Sequence, residues 1–173
     1  RAYEKGEKGD YYGAISDYTK AIEIDPNDAD AYYNRGIAKD DLKDYYGAIS
    51  DYTKAIEINP NDDQAYYNRG ISKSDLKDYN GAISDYMKAI EIEPNNALLY
   101  SMRSYPKFVL KDFIGSISDL NKAIKINPNR GSFYKLRGNA KYMLNEVKSA
   151  CIDWSKAASL GDKDGIPNIK KWC

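Results

Sequence analysis

Proline returns at a fixed interval in this chain, and that interval leaves little choice of fold. Pro26, Pro60, Pro94 and Pro128 are each 34 residues apart. Ala21, Ala55, Ala89, Ala123 and Ala157 keep the same step, and so do Ala14, Ala48, Ala82, Ser116 and Ala150. Glycine follows at Gly36, Gly70 and Gly138, with Ala2 and Ser104 filling the other two places. Such self-similarity identifies an array in which one structural unit is stacked on the next.

Within each unit the spacing is helical. Tyr32, Arg35, Gly36 and Lys39 recur at i, i+3, i+4 and i+7, one face of a helix, and Ala48, Ile49, Tyr52, Ala55 and Ile56 mark a second. Clusters such as Pro60-Asn61-Asp62 separate the units and supply N-cap oxygens to the next helix. The shorter Lys43-Asp44 break separates the two helices of one unit. Each unit is therefore expected to be a helix–turn–helix hairpin.

The pattern resembles the tetratricopeptide repeat family. The unit 29–62 carries that family's marks as Tyr32, Gly36, Ala48, Tyr52, Ala55 and Pro60; the unit 63–96 carries Tyr66, Gly70, Ala82, Tyr86, Ala89 and Pro94. The resemblance implies an all-α, right-handed superhelical solenoid of antiparallel helix hairpins, spanning residues 1–173 as a single array. Residues 1–28 form a partial first repeat, and 29–62, 63–96, 97–130 and 131–164 are repeats. A capping helix is expected over 165–173, with Pro167 in its first turn and Ile166, Ile169 and Trp172 covering apolar surface. The last repeat has Asp162 in place of proline, and its Trp154-to-Gly161 stretch is similar to the Sel1-like relatives.

The columns assign most aromatic residues to packing. Tyr32, Tyr66, Tyr100 and Tyr134 form one column, and Tyr18, Tyr52, Tyr86, Leu120 and Trp154 its partner; both are expected in the core. Arg1, Arg35, Arg69, Arg103 and Arg137 form another column, matched by Asp17, Asp51, Asp85, Asp119 and Asp153 further along each unit. A ladder of Arg–Asp pairs, one per repeat, is expected at the seam between the helices.

The resemblance implies protein binding along the first helix of each unit. Carried over residue by residue, the groove positions are Asp30, Tyr33, Asn34, Ile37, Asp40 and Asp41, then Gln64, Tyr67, Asn68, Ile71, Ser74 and Asp75. Leu98, Ser101, Met102, Tyr105, Phe108 and Val109 follow, and then Ser132, Lys135, Leu136, Asn139, Tyr142 and Met143. Asn34 and Asn68 offer a donor and an acceptor each, suited to a peptide backbone, and Tyr33 and Tyr67 offer stiff contact area. The first half is acidic and suits a basic partner. The second half is apolar, and the patch around Tyr105 and Phe108 suits a hydrophobic peptide, a helix or a second copy of the chain, giving a self-associating scaffold as the alternative function. Pro106 interrupts the first helix of the unit 97–130, either as a reshaped surface or as repeat decay; both readings stay open. Leu98 and Met102 stand where some relatives place cations that grip chaperone tails, so that route is not expected.

Composition narrows the function classes. Lys plus Arg and Asp plus Glu number 26 each, giving zero net charge, so neither nucleic acid nor an anionic membrane is an expected partner. The absence of histidine removes His-based triads and His metal sites. There is no phosphate loop or nucleophile elbow, no apolar run approaches the roughly 18 residues of a membrane helix, and no catalytic residue, metal or cofactor is expected. Acidic pairs such as Asp62–Asp63 read as helix-end carboxylates. Cys151 and Cys173 sit at no metal-ligand spacing and are expected to be free thiols. A cytoplasmic location is favoured, although Arg1 opens mid-unit and further repeats or a leader upstream of it are compatible with the pattern.

Overall fold

The structure, a computed structural model, describes residues 10–162, 164 and 171–173. Nine helices run through the described residues: α1 Tyr11–Ile24, α2 Ala29–Asp41, α3 Tyr45–Ile58, α4 Asp63–Asp75, α5 Tyr79–Ile92, α6 Ala97–Val109, α7 Phe113–Ile126, α8 Gly131–Met143 and α9 Val147–Ser159. They group into two compact units, Arg1–Ile92 and Glu93–Cys173. In the first unit α2 packs on α3 and α4 on α5, with α1 against α2 and α3 against α4; in the second, α6 pairs with α7 and α8 with α9, with α7 against α8. No strand occurs among the described residues. The all-α helical-repeat solenoid is thus the architecture the 34-residue period dictates.

Side-chain oxygens start most of the helices, whereas α8 and α9, with Arg130 and Glu146 at the N-cap, have no side-chain cap bond. Asp28 accepts from the Ala31 amide at 2.9 Å, Asp62 from Ala65 at 3.1 Å, and Asp10, Asp44 and Asp112 from the amides of Gly13, Gly47 and Gly115. The reversal between the two helices of a hairpin runs through Lys43, Lys77, Lys111 and Asn145, whose φ values of 62 to 65° lie in the left-handed region. Three of these four positions are lysine, so the hairpin turn carries a steric cost that glycine would avoid.

The small columns let the helices close on an aromatic. A Cβ on Gly36 would lie 2.7 Å from the Tyr52 ring, and one on Gly70 2.8 Å from Tyr86. Tyr52, Tyr86, Leu120 and Trp154 are buried as expected, with Ala55, Ala82, Ala89, Ala123, Ala150 and Ala157 beside them. The partner column departs from its expectation. Tyr100 is buried, but Tyr32, Tyr66 and Tyr134 are only half-buried, although all four rings stack with the arginine three residues on, at 5.5 to 5.8 Å.

The ladder is present in full across the described residues. Arg35 holds Asp51 with two bonds of 2.8 and 2.7 Å, and Arg69–Asp85, Arg103–Asp119 and Arg137–Asp153 repeat the same fork. Bidentate geometry of this kind makes a strong charge-assisted pair. Each aspartate, at most 4 % exposed, takes a second cation as well: Lys39, Lys73, Lys107 or Lys141, at 2.7 to 2.8 Å. The guanidiniums also reach back to the preceding unit, Arg35 to Thr19, Arg69 to Thr53 and Arg137 to Asn121. The expected rung from Arg1 falls outside the described residues, as do Ile166, Pro167 and Ile169 of the capping segment.

The cysteines correct the free-thiol expectation. Cys151 on α9 and Cys173 form a disulfide, with Cα atoms 5.8 Å apart and a sequence separation of 22. Neither spacing nor composition brings such positions together; the C-terminal segment does so by returning to α9. The bridge also seats Trp172 against Tyr142, ring centres 5.2 Å apart.

Candidate functional site

In the first unit the surface is built on α2 and α4. Tyr33 and Tyr67 project from successive repeats, half-buried, each tilted against the buried tyrosine of its own hairpin: Tyr33 to Tyr52 at 5.9 Å, Tyr67 to Tyr86 at 6.2 Å. Asn68 donates to the Tyr33 hydroxyl at 2.9 Å, and Ser72 donates to the Asp40 carboxylate. These two bonds tie the leading helices of neighbouring repeats into one face. Asn34 donates to its own helix at the Asp30 carbonyl, 2.7 Å away, and Gln64 to Asp63. The asparagine NH2 groups are therefore already engaged, and the side-chain carbonyl oxygens hold no bond among the described residues. Ile37, Ile71 and Ser74 lie half-buried on the same helices, while Asp30, Asp41 and Asp75 are exposed.

Negative charge concentrates on this face. Burial raises the pKa of Asp40, and Asp75 and Asp41 raise it further, against the opposing hydrogen bond from Ser72. Burial likewise raises Tyr33, with Asp62 adding to the effect. Asp40, Asp41 and Asp75 close their helices at the C-terminal end, where the backbone dipole disfavours an anion. Residues 1–92 carry 12 Lys and Arg against 19 Asp and Glu, whereas residues 93–173 carry 14 against seven, so the neutral total conceals two oppositely charged halves.

The second unit presents a different surface. Leu98 and Met102 are half-buried and Tyr105 is 52 % exposed, with Val109, Leu110 and Met143 also open. Phe108 meets Phe113 edge-on at 5.3 Å, and Lys135 pairs with Asp162 at 3.1 Å and Asp164 at 2.8 Å. Helix α6 runs unbroken through Pro106, which is buried. Beside it opens a cavity of about 150 Å³ lined by Ser104, Tyr105, Phe108, Ser116, Leu136 and Asn139. A second hollow of about 280 Å³ is lined by Phe108, Asn139, Tyr142, Met143, Trp154 and Trp172. Sequence reasoning reached Tyr105, Phe108 and Tyr142. It placed Trp154 in the core, where it is buried, and missed Trp172 beside Tyr142, because that residue had been assigned to a cap.

Sequence models of the repeat decide the family. The model described as "TPR repeat" matches residues 3–39, and "Tetratricopeptide repeat" matches 29–62 and 64–96, together more than half of the chain. The chain belongs to the tetratricopeptide repeat family. No curated protein sequence matches it. Among solved structures, it is similar to MamA, at 24 % identity and a TM-score of 0.89, covering 94 % of this chain and 95 % of that one. It is also similar to YrrB, described as a TPR protein with an unusual peptide-binding site, at 18 % identity and a TM-score of 0.86, covering 98 % and 88 %. The first TPR of Spaghetti (RPAP3), bound to the HSP90 peptide SRMEEVD, shares 25 % identity and a TM-score of 0.61 over 63 % of this chain and 88 % of its own. Tetratricopeptide repeats are protein-interaction modules, and that coarse function follows from membership. No described helix is long and apolar enough to cross a membrane, and no group of three or more acidic or cysteine ligands among the described residues is placed to hold a metal ion.

Proposed function

We propose that the chain binds an extended segment of a partner protein along the leading helices α2 and α4. The observation that carries the reading is the hydrogen bond from Asn68 to Tyr33, which aligns the Tyr33–Asn34 and Tyr67–Asn68 pairs of successive repeats on one face. An extended chain advances about 3.3 Å per residue, so flat rings and carbonyl oxygens recurring along a row suit its backbone. The surplus of carboxylates selects for lysine or arginine in the segment, and that selectivity weakens with salt. Peptides selected from a displayed random library on the wild-type chain should be rich in Lys and Arg. Tyr67→Ala with Asn68→Ala should weaken them at least about tenfold, as expected when a central aromatic is lost. Unchanged affinity in the double variant would move the site elsewhere.

A second reading, association of copies of the chain through the apolar second unit, is favoured by the open Tyr105, Val109, Leu110 and Met143. Light scattering across a concentration series, with Tyr105→Glu as control, separates the two. The Cys151–Cys173 bridge argues for an oxidising compartment rather than the cytoplasm first expected, since structural disulfides persist where thiols are not kept reduced.

A further inference from the structure

The hollow beside Tyr142 has an occupant at its edge, and that occupant belongs to the chain itself. Its walls are Phe108 on α6, Asn139, Tyr142 and Met143 on α8, Trp154 on α9 and, from the C-terminus, Trp172, around a volume of about 280 Å³. Asn139 is already committed, because its side-chain oxygen accepts from the Trp154 indole at 2.9 Å. Most of what remains is ring and thioether surface, with Met143 53 % exposed. The Tyr142 ring is tilted on the Trp154 indole at 5.7 Å, and Trp172 lies on Tyr142 at 5.2 Å. A stack of three rings therefore runs from buried Trp154 to partly exposed Trp172. One ring contact does not order a chain end, since an aromatic pair contributes less than fixing the backbone of residues 171–173 costs. The covalent bond from Cys173 to Cys151 on α9 supplies the difference, because it keeps the indole at high effective concentration over Tyr142.

We propose that the face of Tyr142 and the hollow beside it form a binding site for an aromatic side chain, occupied in cis by Trp172 while the Cys151–Cys173 bridge stands and vacated when a dithiol reduces it. The exchange balances: the dithiol gives two electrons and two protons, the S–S bond breaks, both cysteines become thiols, and the dithiol closes to its own disulfide. The vacated site takes an aromatic residue of a partner segment. That a partner supplies the competing ring rests on the reading of the leading helices as the partner-facing side; the seat of Trp172 does not. The full chain is followed by its backbone amide and indole N–H resonances in NMR, oxidised and in dithiothreitol. Reduction should move the Trp172 indole signal to the position of a short unstructured peptide and leave that of Trp154, bonded to Asn139, in place. N-acetyltryptophan amide is then titrated, with N-acetylalanine amide as control. It should give saturable shifts at Asn139, Tyr142 and Met143 in the reduced chain and in oxidised Trp172→Ala, and the alanine derivative none. The oxidised wild type should bind it at least about tenfold more weakly, as when the open form is about a tenth of the population or less. Trp172→Ala keeps the bridge, so it separates an uncovered site from a helix loosened by reduction. A Trp172 signal unchanged by reduction overturns the role of the bridge, and a Trp154 signal lost with it overturns the vacated site in favour of helix opening. Equal affinity of oxidised wild type and oxidised Trp172→Ala overturns the occupation in cis. Absence of saturable shifts in both opened forms overturns the site. The peptide test of the first unit concerns α2 and α4 and is unaffected by any of these outcomes.

Discussion

The two units solve the same packing problem with opposite chemistry where one leading helix meets the next. In the first, Asn68 bonds Tyr33 and Ser72 bonds Asp40, a polar seam repeated along α2 and α4. In the second, the corresponding residues are Leu136, Ser101, Ala140 and Phe108, and neither bond can form. The ladder of Arg, Asp and Lys behind the seam is unchanged between them. The framework of the repeat thus sits on the side of the helices that holds the hairpin together, and the opposite side is free to vary. That separation lets one array carry an acidic surface in one half and a basic half with exposed apolar side chains in the other.

The sharpest way to break this comparison is to attack what the units share. Arg69→Ala strands Asp85, and Arg103→Ala strands Asp119, each nearly fully buried; each should cost about 3–5 kcal/mol in chemical denaturation. The remaining lysine on each aspartate places the result toward the lower end. A cost confined to one unit would mean that the ladder is not the common framework. A smaller effect separates the units: reducing the bridge, or Cys151→Ser, should lower stability by roughly 3 kcal/mol, the loop-closure value for a separation of this size. Hydrogen exchange should quicken in α8 and α9 and leave α2 to α5 unchanged. The smallest effect belongs to the polar seam. The raised pKa of Asp40 means that the folded state holds its proton more tightly than the unfolded state does. Its contribution to stability is therefore present below the ordinary aspartate range and is lost as pH rises through the raised value. Asp40→Asn, which can still accept from Ser72, should flatten that slope, measured as stability against pH from 3 to 7 at low salt.

Much of this was legible in the residues, and the limits have physical causes. Period and column composition sufficed for the hairpins and for the Arg–Asp ladder, because a charge repeated at the same place in every unit needs a repeated partner. The lysines at 39, 73, 107 and 141 kept the same step, yet pairing by columns two at a time did not reveal a three-membered site. Tyr32 and Tyr66 read as core because helical spacing fixes the face of a residue and not its depth. The disulfide was hidden because it depends on the return of the terminal segment, which no periodicity describes. At the candidate surface, the residue types were visible, whereas the engagement of Asn34 and Asn68 exists only as distances.

The backward reach of each arginine has one more implication. Arg35 and Arg69 both find a threonine 16 residues earlier and an aspartate 16 residues later. Excising 34 residues from just after Arg35 would hand it Asp85 in the place of Asp51, with every donor and acceptor restored. Within the first unit the chain can therefore be shortened or lengthened by whole bricks without any mortar being redesigned, and gene duplication of one brick suffices to extend the wall.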